Sequence, residues 1–172
     1  MAPEARRAPY LSPKAMGERL GGFIYGTIVV LAVLVAGAKA YPDGAGHIAV
    51  LVVVTSVALW LAHVYAHGLG ESVGRREHLS SAELGRVARR EASIIEAGVP
   101  SVVALLLGAL GLISTYAAVW AAFGLGLFVL AVQGVVFARV ERLGWLGTLS
   151  AVAANISLGL VFVVLKLLLT HH

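Results

Sequence analysis

Five apolar runs, separated by short polar breaks, account for most of this chain. They lie near 20–40, 48–69, 92–113, 117–138 and 145–169. A hydrocarbon core of about 30 Å needs about 20 helical residues at a 1.5 Å rise, and each run is long enough. The pattern predicts an all-α integral membrane protein with five transmembrane helices. It assigns 1–19 to a polar tail and 20–170 to a single transmembrane domain with a cytoplasmic segment at 70–91. Tyr41-Pro42-Asp43-Gly44 ends the first run. Proline cannot continue a helix and glycine accepts positive φ, so the first two spans form a tight hairpin. Ser114-Thr115-Tyr116 does the same between the third and fourth.

The one sizeable polar stretch lies between Glu71 and Pro100. Within it Ser80-Ser81-Ala82-Glu83 has the spacing of a capping box, which predicts a helix start. Leu84, Val87, Ala88, Ile94 and Ile95 then fall near one face, with Arg86, Arg89, Arg90 and Ser93 on others. A short amphipathic helix at the inner membrane surface is expected here, running into the third span, where Pro100 sits in an early turn or makes a kink. Glu91 and Glu96 come near the membrane at the depth of Glu71.

Composition supports the membrane assignment. Of 172 residues, 59% are hydrophobic and only 13% are charged, against about a quarter charged in soluble domains. Without cysteine there are no disulfides, no thiolate zinc site and no thiol catalysis. The formal net charge is +4, but the basic residues cluster beside the apolar runs, where they report topology and anionic lipid, and nucleic acid is not an expected partner. Arg6, Arg7, Lys14, Arg19, Arg75, Arg76, Arg86, Arg89, Arg90, Arg139 and Arg142 fall on one side; Lys39 and Lys166 fall on the other. That is eleven against two of the 13 Lys and Arg residues. The positive-inside rule then places the N-terminus in the cytoplasm and the C-terminus outside, in what is expected to be a prokaryotic plasma membrane.

Chemistry concentrates at one place. In Trp60-Leu61-Ala62-His63-Val64-Tyr65-Ala66-His67-Gly68-Leu69-Gly70-Glu71, two histidines fall inside the end of an apolar run. Ionisable groups at membrane depth are costly and mark ion or proton paths. Imidazoles at i and i+4 share a helix face, about 6 Å apart at Cβ. Glu71, about 80° round and about 12 Å along from His63, joins them only with help from a second helix. The candidate metal or proton site is therefore His63, His67, Glu71 and Glu96, with Glu96 facing Glu71 or His67 and Arg89 or Arg90 competing for either carboxylate. Imidazole beside carboxylate suits Fe(II), Mn(II) or Zn(II) as well as proton relay. The plainer account has both histidines snorkelling or bonding neighbouring helices. Glu77, Glu83 and Glu91, with Glu96, are the carboxylates that would extend such a site into the cytoplasmic segment, but capping by Glu83 and pairing of Glu77 and Glu91 with adjacent arginines is the stronger reading for those three. Asn155 and Gln133, and the small residues at four-residue spacing in spans one, four and five, read as helix packing. Trp60, Tyr65, Tyr116, Trp120 and Trp145 read as an interfacial belt.

Gly70-Glu71-Ser72-Val73 at the inner end of the second span is similar to a motif of the vacuolar iron transporter (nodulin-21-like) family. Five spans, a cytoplasmic N-terminus and a charged helical insert after the second span resemble that family's architecture. The resemblance implies cation/proton antiport. Tyr25-Gly26-Thr27 stands where the family has Asp-Gly, so the family's span-one carboxylate is missing. The expectation is a homodimeric transporter or channel for divalent cations, protons or both. The competing reading is a non-transporting scaffold or regulatory subunit whose basic inner surface binds a partner or anionic lipid. No nucleotide loop, nucleophile elbow or cofactor fingerprint is present, and an enzyme is the least favoured class.

Overall fold

The computed structural model describes residues 13–170. The tail up to residue 12, with Arg6 and Arg7, lies outside the described residues, as do His171 and His172. Among the described residues the chain is all-helical: α1 (Pro13–Ala40), α2 (Ala45–Arg75), α3 (Ser81–Arg90), α4 (Ser93–Glu96), α5 (Val99–Ala109), α6 (Thr115–Val140) and α7 (Trp145–Thr170). Local chemistry sets the ends. The Tyr41-to-Gly44 turn separates α1 from α2. At the far end of α2, Arg76 takes a left-handed φ of 56° and donates its N–H back to Val73 O at 3.3 Å, which turns the chain toward α3. Ser114 caps α6 by accepting from Ala117 N.

The helices run up and down in a meander. Thr115 Oγ1 at the start of α6 donates to Asp43 O at 3.4 Å, so the α5–α6 turn sits at the same end as the α1–α2 turn. Leu31, Leu34, Ile48, Leu105, Phe123 and Leu130 are fully buried where α1, α2, α5 and α6 meet. Small residues set the closest crossings. A Cβ on Gly134 of α6 would lie 2.8 Å from Val152 Cα of α7, and one on Gly26 of α1 would lie 2.7 Å from Ile94 O of α4. Asn155 Nδ2 donates to Leu130 O at 3.3 Å, which ties α7 to α6 as the packing account expected. Only 6% of the most apolar window of α7 is buried, against 28–39% in α1, α2 and α6, so α7 forms the outer edge of the bundle.

The third predicted span departs from expectation. Four helices are long and apolar enough to cross a membrane; a fifth crossing exists only if Ser81–Glu96 and Val99–Ala109 together count as one span. These segments are bent by 51° at the Ala97–Gly98 break. The cause is in the sequence. Pro100 has no N–H to donate and disfavours helix at the residue before it, and Gly98 is a weak helix former. At 1.5 Å per residue α5 is about 16 Å long, half of a hydrocarbon core, so the crossing also needs the segment below the bend.

That segment begins where the sequence placed it. Ser80 is the N-cap of α3; its hydroxyl accepts from Glu83 N, and the Glu83 carboxylate accepts from Ser80 N. These Ser80 contacts, followed by the Arg75 guanidinium at 2.7 Å, hold the exposed Glu83 carboxyl below the usual carboxylate range. The helix then leans on α2, with Val87 buried and Trp60 Nε1 donating to Ala88 O at 2.9 Å. Trp60, expected in an interfacial belt, is thus a brace between α2 and α3.

Candidate functional site

Helix α2 is about 46 Å long, well beyond a hydrocarbon core. Counted from Ala45, His63 lies about 27 Å along it, His67 about 33 Å and Glu71 about 39 Å. A hydrocarbon core of about 30 Å measured from Ala45 would end between the two histidines, with Glu71 beyond it. The imidazole centroids are 6.1 Å apart, tilted by 58°. His63 Nδ1 lies 3.0 Å from Leu59 O, one turn back. A carbonyl can only accept, so this bond holds the His63 proton on Nδ1. His67 Nδ1 lies 3.0 Å from Oε1 of Glu91.

Glu91 is the carboxylate that joins the histidines. Its side chain is 10% exposed, against 51% for His67, so an acid is buried beside a half-open base. Sequence reasoning had assigned Glu91 to its arginine neighbours, and it does take Arg90 Nε at 3.4 Å on the same oxygen. It also has a second partner, because α3 ends at Arg90 and the turn at Glu91–Ala92 directs residue 91 toward α2. Arg90 in turn meets Glu71 at 3.3 Å and Glu18 at 3.6 Å, linking α1, α2 and α3 through one guanidinium.

Two of the four predicted site residues lie elsewhere. Glu71 pairs with Arg90 and with Arg75, the latter at 3.7 Å, so arginine wins that competition. Glu96 pairs with Arg19 of α1 at 2.8 Å, both side chains about half exposed, and the expected contact with Glu71 or His67 is not made. The reason is azimuth. Glu91 stands in the turn after α3 and Glu96 ends the separate helix α4, so the chain reverses its facing between them: Glu91 meets α2 and Glu96 meets α1. Depth, which the sequence shows, does not tell which.

His63, His67, Glu91 and Arg90 line a crevice of about 270 Å³ between α1, α2 and α3. Glu18 and Tyr25 of α1 line its other wall. The Tyr25 ring lies 5.3 Å from that of His63, so the tyrosine standing in place of an aspartate faces the histidines. Gly22 also lines the crevice, and the space its missing side chain leaves is taken by the Ser93 hydroxyl. That hydroxyl is buried and has no protein hydrogen-bond partner among the described residues. Glu18 and Ser93 carried no distinctive signal in the sequence. Arg90 and Glu91 did, by their nearness to the membrane.

The arrangement offers two imidazoles, a buried carboxylate and a phenol around one crevice, which suits binding and passing of protons or small cations. Among the described residues no three His, Asp or Glu side chains converge as a group that could hold a metal ion. Compared with known proteins, the chain matches no family model, no curated protein and no solved structure.

Proposed function

We propose that this chain is a membrane transporter or channel that moves protons, divalent cations or both, loading them at the crevice between α1, α2 and α3. The observation that carries the proposal is the His67–Glu91 pair at 3.0 Å, with its carboxylate buried and its imidazole half open. Ionisable side chains at membrane depth are rare and mark ion or proton paths. The resemblance to vacuolar iron transporters read from the sequence, long apolar helices with a charged helical segment after the second, supports this reading. Antiport as in that family is part of the proposal, as is a dimeric assembly.

The scaffold alternative draws less support from the geometry. Arg19, Arg75, Arg86 and Arg90 are engaged by Glu96, Glu83, Glu71, Glu18 and Glu91 of the chain itself, so these four arginines are already paired within the chain. The test is proton flux into liposomes holding the purified protein, with and without Fe(II), Mn(II), Zn(II) or Co(II) outside. Flux above that of protein-free liposomes is expected; its absence under every condition would leave the scaffold reading.

In this proposal the crevice faces the cytoplasm. Because the chain has no cysteine, Ser81→Cys and Asp43→Cys give single labelling sites. The Ser81→Cys variant is expected to react with an impermeant maleimide only after the cytoplasmic face is opened, and Asp43→Cys in intact cells. Reversed accessibility would overturn the orientation.

A further inference from the structure

We infer that a cleft between α2 and α5, at mid-membrane depth, binds a small membrane-soluble molecule of about five or six heavy atoms carrying one hydrogen-bonding oxygen, an alcohol in the simplest case. The cleft holds about 130 Å³ and shares no residue with the crevice. It lies against the break in the bent span. Gly98, which supplies no side chain, and Ser56 of α2 are buried at its floor, and Val53, Val57, Val99 and Val103 stand exposed at its rim. A Cβ added at Gly98 would lie 3.2 Å from Ser56 Oγ, which places the hydroxyl in the gap between α2 and the break. Counted from Ala45, Ser56 lies about 17 Å along α2, midway through a hydrocarbon core of about 30 Å. The mouth therefore opens on acyl chains, and a ligand arrives through the bilayer.

The Ser56 hydroxyl decides the class of ligand. Thr27, Ser101 and Ser157, also inside apolar helices, give their hydroxyls to the backbone carbonyls of Phe23, Ala122 and Ala153 at 2.8, 3.0 and 2.7 Å. Ser56 is only 5% exposed, and its hydroxyl has no hydrogen-bond partner among the described residues. A buried hydroxyl left unpaired is costly, so a partner from outside the chain is favoured. Water does not suit the place: a buried water needs about two to four polar partners, and the other side chains around this hydroxyl are valine and isoleucine. An acyl chain would fill the space and leave the hydroxyl unpaired. A short apolar body with an oxygen at one end satisfies both requirements. Volume sets its size, since an apolar cavity of about 150 Å³ takes benzene.

The test is photolabelling of the full chain in lipid bilayers with a pentanol that carries a diazirine, the adducts being located by mass spectrometry. The groove on α7 lined by Ser157, Val161 and Val164 is the internal control, since it is also apolar but its hydroxyl is already bonded. Adducts are expected to concentrate in residues 53–57 and 98–103, to fall with excess unlabelled 1-pentanol, and to be sparse in 157–168. Ser56→Ala removes the hydroxyl without leaving a polar group unpaired, so the fold is kept. In that variant the affinity for 1-pentanol, read from the competition, is expected to weaken about three- to tenfold, the worth of one hydrogen bond. Equal labelling of the α7 groove would reduce the signal to partition into lipid, and parent-like affinity in Ser56→Ala would leave an apolar cleft filled by acyl chains. Either result overturns the inference. Neither depends on proton flux, so the transport proposal stands or falls separately.

Discussion

Leucine at Gly26 is expected to prevent the bundle from assembling, while leucine at Gly124 is tolerated. On Gly26 even a single Cβ would lie 2.7 Å from the Ile94 carbonyl oxygen and 3.0 Å from Ala97 Cβ, and the first of these is backbone that no side-chain rotation can move. Alanine there costs about 1–3 kcal/mol as overpacking, which a domain with about 5–15 kcal/mol of stability survives. Leucine adds three more carbons to the same closed space and forces α1 away from α4. Gly124 has nothing within 4 Å of its added Cβ and serves as the control in an equally apolar helix. The measurement is the yield of monodisperse protein after extraction, with thermal unfolding for the alanine variants. Equal yields for the two leucine variants would show that α1 and α4 do not meet at this crossing. The consequence reaches the site, since α4 follows directly on Glu91 and its seat on α1 helps to aim that carboxylate at His67.

Glu91→Gln is expected to lower proton flux by about tenfold or more, about 1.4 kcal/mol at the least, without unfolding the protein. Glutamine keeps the size of glutamate, and its carbonyl oxygen can still accept from His67 Nδ1 and Arg90 Nε, which now lie 3.0 Å and 3.4 Å from Oε1. What it loses is the charge and the ability to take up a proton, so the variant separates conduction from packing. Glu96→Gln is the matched control. Its exposed pair with Arg19 is outside the crevice, and such pairs are worth about 0–1 kcal/mol. Parent-like flux in Glu91→Gln would remove the carboxylate from the path and with it the main support for transport at this crevice.

Much of the fold was legible because the bilayer is a demanding solvent. Backbone groups in hydrocarbon must bond within their own segment, so a run of about 20 apolar residues is nearly sufficient to name a helix. The runs predicted near 20–40, 48–69, 117–138 and 145–169 fall within α1, α2, α6 and α7. The Ser80 cap was equally plain, because capping depends on residues three apart and on nothing distant. The run near 92–113 was legible in part: Pro100 announced an early turn or a kink, but hydropathy does not register direction, and the size of the bend, 51°, is not in it.

The site divides along the same line. The sequence by itself determined that His63 and His67 share one face of one helix at the edge of the apolar core, because helical periodicity within a segment fixes that. It also showed that Glu71, Glu91 and Glu96 lie near the same depth, since depth follows from distance along the chain. Only the tertiary structure decided which carboxylate meets the histidines. That choice depends on the azimuth of α3 and α4 about their axis, which is set by the turn at Glu91–Ala92 and by the seat of Ile94 on Gly26. The same packing gave Glu71 to Arg90 and Glu96 to Arg19, and brought Glu18 and Tyr25 to the crevice from positions where residue type and depth alone mark no ion site. Pairings between helices depend on how two surfaces dock, and one-dimensional periodicity carries no information about that.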